Sequence, residues 1–149
     1  MAVNPELVNT VYPSLPPYLV GREKVREFAR AVQCDSPLSL DVEAARAAGY
    51  SDLVAPPTFP VVLQQHTLEM LLADPSAGID FSRVVHGDQR FDYTRPMVAG
   101  DEVITTLRVT KVQSLGGHSM VTSESDMRDV TGALICVATS TLVVRGDES

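Results

Sequence analysis

The stretch Ala55-Pro-Pro-Thr-Phe-Pro-Val-Val-Leu-Gln-Gln-His-Thr-Leu-Glu-Met-Leu-Leu72 decides which fold this chain can adopt. Its apolar residues fall on nearly all sides of a helix, which predicts a helix that its surroundings bury. Prolines suit the entrance of a helix because a missing N–H breaks no hydrogen bond there. Pro60 therefore marks the last position at which this helix can begin. A long apolar helix of this kind needs a sheet that covers its sides.

Four strand-like segments follow the helix. The second of them alternates apolar and polar residues and is rich in β-branched side chains, which strongly predicts a strand. Gly116-Gly117 and Thr131-Gly132 separate the later segments and predict short turns. Helices followed by a meander of strands are typical of an α+β fold with an antiparallel sheet, and a sheet wrapped around one long central helix is the hot-dog fold. The predicted strands are Ser82–Tyr93, Glu102–Val112, Ser119–Met127 and Leu134–Arg145.

Two shorter helices are predicted before the long one. Apolar residues three and four positions apart predict an amphipathic helix after Gly21 that Pro37 ends. A second helix is expected over Asp41–Gly49, with an Asp cap and a Gly stop. Residues 1–20 are rich in proline and should be irregular, with Tyr18 opening a short strand at best. We expect one domain over 1–149, with 1–10 and 146–149 as loose ends.

Composition excludes several classes of function. The chain has 149 residues and a net charge of −7, with no dense run of Lys or Arg, which argues against nucleic acid as a partner. Two cysteines, Cys34 and Cys136, are too few for a disulfide framework and lack metal-site spacing. No apolar run approaches the roughly 20 residues of a membrane span, and the start lacks the features of a signal peptide. We therefore expect a cytoplasmic protein without a metal or cofactor.

Three segments resemble the MaoC-like dehydratase N-terminal family, over about residues 10 to 145. The third is the most specific because it ends in Arg-Pro followed by Gly-Asp. The sequence is most similar to actinobacterial members and to the A subunit of mycobacterial (3R)-hydroxyacyl-ACP dehydratase. The segments are Gly21–Val32 with Ser36-Pro-Leu-Ser39, Tyr50–Phe59, and Val84–Asp101.

The resemblance implies a hot-dog fold paired into a double hot dog. It also implies a lyase of fatty acid metabolism that acts on acyl-CoA or acyl-carrier-protein (acyl-ACP) thioesters. The pair could be a homodimer or a heterodimer with a catalytic hot-dog subunit.

Active members of this family carry an Asp and a His five residues apart in the loop after the first helix. This pair moves the protons when water adds across a trans-2-enoyl thioester. Aligned on Pro37, the Asp position is Cys34, the neighbouring Asn position is Ser36, and the His position is Ser39. The helix-entry Gly whose N–H polarises the thioester carbonyl falls near Pro57, which has no N–H. The mycobacterial A subunit also lacks the pair, so the resemblance favours a non-catalytic subunit that shapes the acyl site.

Three residues could replace the missing pair. Asp35 lies one position from the expected acid, although an exposed loop carboxylate is the better interpretation. His66 lies in the predicted buried helix, where a core or interface histidine is more common. His86 could line the thioester path or lie at the subunit interface, and the sequence leaves both open. A self-sufficient hydratase or dehydratase with a relocated pair is thus the alternative, and a thioesterase that uses Glu69 is a weaker one.

The remaining candidates concern substrate binding. Arg95 could bind the phosphate of a pantetheine-bearing ligand or form a surface ion pair, and both remain open. Cys34 has no adjacent His, so a small buried thiol is a better interpretation than a nucleophile. The substrate-binding candidates are Pro57, Thr58, Phe59, His86, Gly87, Asp88 and Arg95.

Overall fold

The computed structural model describes residues 2–14 and 16–147. The order of the long helix and the four long strands is the predicted one. The structure adds one short strand, one short helix, and single 3-10 turns at Pro5–Leu7 and Phe81–Arg83. The elements are β1 (Val11–Pro13), β2 (Tyr18–Leu19), α1 (Arg22–Ala31), α2 (Pro37–Leu40), α3 (Val42–Ala47), α4 (Pro60–Ala73), β3 (Val84–Tyr93), β4 (Glu102–Leu115), β5 (His118–Asp129) and β6 (Leu134–Val144).

Local sequence signals set several of these boundaries. The long helix α4 begins at Pro60, as predicted, because its first position needs no N–H. The Asp41 carboxylate accepts a hydrogen bond from the Glu43 N–H at 2.9 Å and caps α3. The hairpin between β4 and β5 turns at Gly116 and Gly117, whose φ angles of 58° and 80° suit glycine.

The strands form one antiparallel sheet in the order β1-β4-β5-β6-β3, and β2 pairs with the first residues of β4. Strand β3 is an edge strand whose backbone pairs with β6 on one side only. Its pairing shifts by one residue between His86 and Asp88, and a Cβ at Gly87 would lie 3.1 Å from Cγ2 of Val143. Glycine thus allows the bulge to lie against β6.

The core between α4 and the sheet has two apolar parts. One surrounds Phe59 and Leu63 near the start of α4, and the other surrounds Leu68 and Leu71 near its end. Within α4 and within the strands, buried polar residues separate the residues that belong to the first apolar part from those that belong to the second. They are Gln64, Thr67, Thr105, Ser123, Ser125 and Ser140.

One face of α4 is exposed, which corrects the prediction of a helix buried on nearly all sides. Gln65, His66, Glu69 and Met70 lie on this face, and Met70 is 41% exposed. These positions share one side of the helix because residues four apart are neighbours. The sheet covers only the opposite side.

The N-terminal segment is not loose, which corrects the expectation for residues 1–10 over its described part. Val3 and Leu7 are buried and pack in the second apolar part of the core. The Asn4 N–H also donates to the Ala77 carbonyl at 3.0 Å. At the other end, Arg83 donates to the Gly146 carbonyl at 2.7 Å, whereas residues 148–149 lie outside the described residues. Burial of the Val3 and Leu7 side chains stabilises the packed position of this segment.

We expect the substitution Gln64→Leu to stabilise the protein. Gln64 is 1% exposed, and neither its Nε2 nor its Oε1 has a hydrogen-bond partner in the described chain. A buried polar group without a partner costs about 1–3 kcal/mol, and leucine removes that cost at similar volume. Urea denaturation should show the gain, while the neighbouring exposed change Gln65→Leu should alter stability by less than about 0.5 kcal/mol. A loss of stability in Gln64→Leu would contradict this expectation.

Candidate functional site

A cleft of about 500 Å³ lies where three segments of the chain meet. The segments are the loop from α1 into α2, the chain before α4, and the chain after β3. Backbone hydrogen bonds hold them together: the Val54 N–H donates to the Leu38 carbonyl at 2.9 Å, and the Ala55 N–H donates to the Met97 carbonyl at 2.8 Å. The lining is largely apolar and includes Leu38, Val54, Ala55, Pro56, Pro96 and Met97.

Cys34 and Ser39, the positions that alignment on Pro37 predicts for the family's acid and base, both line this cleft. Cys34 is partly exposed there. Ser39 is only 3% exposed, and its hydroxyl donates to the Val54 carbonyl at 2.6 Å. Ser36 lies between them, and its hydroxyl oxygen accepts from the Leu38 N–H at 3.3 Å, which caps α2. At these positions the chain therefore has small neutral groups in place of an acid and a base.

The entrance of α4 forms another wall. Pro57 has no N–H to offer a ligand, and its carbonyl accepts a hydrogen bond from the Tyr93 hydroxyl at 2.5 Å. Burial, with Cys136 as a neighbour, raises the pKa of Tyr93 above its ordinary value. Its phenol is thus uncharged at neutral pH. Tyr93 was not among the residues predicted from sequence, because its contact with the helix entrance joins positions 36 residues apart.

Arg95 is held in an ion pair at the edge of the cleft. Its Nη1 and Nη2 donate to the two carboxylate oxygens of Asp101 at 2.9 and 3.1 Å. Asp101 also accepts from the Val98 N–H at 2.9 Å, which fixes the turn before β4. These hydrogen bonds raise the pKa of Arg95. Of the two interpretations left open for Arg95, the structure thus favours the ion pair.

The other candidates lie outside the cleft. Asp35 is exposed and does not line it. His86, Gly87 and Asp88 are exposed on the edge strand, and His86 precedes Tyr93 by seven residues, roughly 23 Å along a strand.

Two residues of the α4 entrance and two of α4 itself also differ from the expectations. Thr58 is exposed, whereas Phe59 is fully buried in the core. His66 is exposed, not buried, with its ring centroid 5.7 Å from that of Tyr18. Glu69 lies on the same exposed face of the predicted buried helix and does not line the cleft.

No Asp, Glu or His of the described residues lines the cleft. Within residues 2–14 and 16–147, no group of three or more His, Cys, Asp or Glu side chains could hold a metal ion. No helix in the same part of the chain is long and apolar enough to cross a membrane. The lining of this cleft therefore offers apolar contacts, hydroxyl, thiol and carbonyl groups, and the guanidinium of Arg95 at its edge.

Comparisons with known proteins identify the family and the fold of this chain. Residues 10–138 match the family described as the FAS1-like, dehydratase domain region. A UPF0336 protein of Leifsonia xyli subsp. xyli is 66% identical over 98% of both chains. A chain of the C-terminally truncated HadBC complex, the (3R)-hydroxyacyl-ACP dehydratase of Mycobacterium tuberculosis, is 33% identical with a TM-score of 0.84, over 92% of this chain and 96% of that one.

A second solved structure, a MaoC-like dehydratase, is 34% identical with a TM-score of 0.87. The alignment covers 93% of this chain but 42% of that longer one. The resemblance and the hot-dog fold inferred from sequence are thereby confirmed. The chain belongs to the FAS1-like dehydratase-domain family, and its fold is that of the MaoC-like hot-dog proteins.

Proposed function

We propose that this chain is a non-catalytic subunit of a (3R)-hydroxyacyl thioester dehydratase, in which it binds and shapes the acyl part of the substrate. The observation that carries this proposal is the cleft beside Cys34 and Ser39, whose lining among the described residues has neither a carboxylate nor an imidazole. Reversible addition of water to an enoyl thioester needs groups that accept and donate protons. A second hot-dog chain with an intact acid and base would supply them.

The shape and chemistry of the cleft support an acyl ligand. A volume of about 500 Å³ lies within the range of small-molecule sites, which are mostly apolar with a few placed polar groups. The cleft adjoins the first apolar part of the core through Ala55 and Met97. An alkyl chain would find apolar contacts there, while the thioester would lie nearer the polar rim formed by Ser36 and Tyr93.

The edge strand β3 supports a hot-dog partner. One side of its backbone is unpaired in the described chain, and Val85 and Tyr93 on it are 45% and 37% exposed. An open, partly apolar edge of ten residues is suited to pairing with the edge of another sheet. Because Tyr93 lies at both the end of β3 and the cleft, a partner on this edge would also border the cleft.

The first test is hydration of trans-2-decenoyl-CoA, followed by loss of enoyl absorbance. We expect no turnover by the purified chain alone, because no carboxylate or imidazole of the described residues lines its cleft. Turnover should appear when the chain is co-purified with a hot-dog subunit that carries the Asp and His pair. Turnover by this chain alone that Asp35→Asn or His86→Ala abolishes would overturn the proposal in favour of a self-sufficient hydratase.

The second test is binding of decanoyl-CoA, a saturated thioester, measured by calorimetry. We expect Leu38→Trp to weaken binding at least roughly tenfold, since an indole would occupy an apolar cleft of about this size. Leu19→Trp is the matched control, because Leu19 is 61% exposed and lies outside the cleft. Equal binding by both variants would place the ligand elsewhere and contradict the proposed site.

A further inference from the structure

Most polar groups around the cleft are already engaged. The Ser39 hydroxyl donates to the Val54 carbonyl at 2.6 Å. The Thr94 hydroxyl points to the carbonyls of Leu134 and Ile135. The Arg95 guanidinium is bound to Asp101. Ser39 and Thr94 have therefore committed their hydroxyl hydrogens, and Arg95 is held in place by its pair with Asp101.

Ser36 is different because its hydroxyl is used only as an acceptor. Its oxygen accepts from the Leu38 N–H at 3.3 Å, and its own hydrogen has no acceptor among the described residues. A serine hydroxyl can donate one hydrogen bond while it accepts others. Ser36 is half-buried on the cleft wall, so it offers a free donor to a ligand.

The Tyr93 hydroxyl, in contrast, is used only as a donor. Its hydroxyl hydrogen is committed to the Pro57 carbonyl at 2.5 Å, and no described residue donates to its oxygen. A phenol that has given its hydrogen away can still accept. The Tyr93 Oη therefore offers a free acceptor on the same cleft.

We propose that Ser36 and Tyr93 make the cleft selective for the hydroxylated form of its acyl thioester over the unsaturated form. Ser36 donates to the oxygen of the ligand's hydroxyl group, and Tyr93 Oη accepts the hydroxyl hydrogen. A carbon–carbon double bond can do neither, so an enoyl chain leaves both groups without a partner. This inference rests on the proposed acyl-thioester function and assigns these two residues as its specificity determinants.

The test compares three ligands of equal chain length on the intact protein by calorimetry. They are (3R)-3-hydroxydecanoyl-CoA, trans-2-decenoyl-CoA and decanoyl-CoA. We expect the hydroxylated ligand to bind about tenfold more tightly than the other two, the ratio expected for two neutral hydrogen bonds. Ser36→Ala and Tyr93→Phe should each reduce this ratio to roughly threefold, and the double variant should abolish it.

The ratio separates selectivity from structural damage. Tyr93→Phe also frees the Pro57 carbonyl, and a general disturbance of the cleft would weaken all three ligands together and leave the ratio unchanged. Tyr50→Phe, which removes a phenol hydroxyl outside the cleft, should alter neither the affinities nor the ratio. Equal binding of the three ligands by the wild-type protein, or a ratio that survives in the double variant, overturns this inference but not the proposed function. Failure of all three to bind overturns the proposed function.

Discussion

The substitution Phe59→Ala is expected to remove about 3–5 kcal/mol from the free energy of unfolding. Phe59 is fully buried in the first apolar part of the core. Its ring packs edge-on against Phe28 with centroids 5.4 Å apart and an interplanar angle of 81°, a favourable geometry for aromatic pairs. Small domains have a total stability of roughly 5–15 kcal/mol, so this single change would remove a large part of it.

Urea denaturation followed by circular dichroism measures the loss. Phe81→Ala is the matched control because Phe81 is 71% exposed, and its truncation should change stability by less than about 0.5 kcal/mol. Thioester binding at the proposed site should weaken together with the fold, since Ala55 and Met97 of the cleft lining belong to the same apolar part as Phe59. A Phe59→Ala protein as stable as Phe81→Ala would show that the core does not depend on this ring.

Asp101→Ala is expected to have the next largest effect, a loss of roughly 2–3 kcal/mol. The carboxylate is 14% exposed and accepts hydrogen bonds from two Arg95 nitrogens and the Val98 N–H. Its removal leaves a half-buried guanidinium and a backbone N–H without their partner, which costs more than the pair itself contributes. The estimate lies below that for a fully buried pair because Arg95 is 38% exposed and solvent screens its charge.

The Arg90–Asp92 pair on β3 provides the control. Its nitrogen–oxygen distance of 2.9 Å matches that of Arg95–Asp101, but its side chains are 70% and 52% exposed. Asp92→Ala should therefore cost less than about 1 kcal/mol. Because residues 94–97 line the cleft, Asp101→Ala should also weaken acyl-thioester binding, whereas Asp92→Ala should not. Equal effects of Asp101→Ala and Asp92→Ala on thermal unfolding would contradict the inference that burial makes the Arg95–Asp101 pair the more important of the two for stability.

Only some residues of the candidate site could be predicted from the sequence. Alignment on Pro37 selected Cys34 and Ser39, and both line the cleft, because a short loop between two helices keeps its residues together. Residues whose position in the fold depends on contacts with distant segments were predicted less accurately. Tyr93 was missed although it contacts Pro57, which is 36 positions away in the sequence. His86 was considered for the site, but it lies at the other end of the same strand.

The sequence by itself determined the elements and their order. Helix caps, prolines, glycine turns and the alternation of apolar residues act over a few neighbouring positions, so they specify α1, α3, α4 and the four long strands locally. Only the tertiary structure decided which sides of these elements are buried. Gln65, His66, Glu69 and Met70 are exposed because the sheet reaches only one face of α4. A contact between distant segments joins Tyr93 to Pro57, 36 positions apart, and local sequence patterns do not encode the packing that brings such partners together.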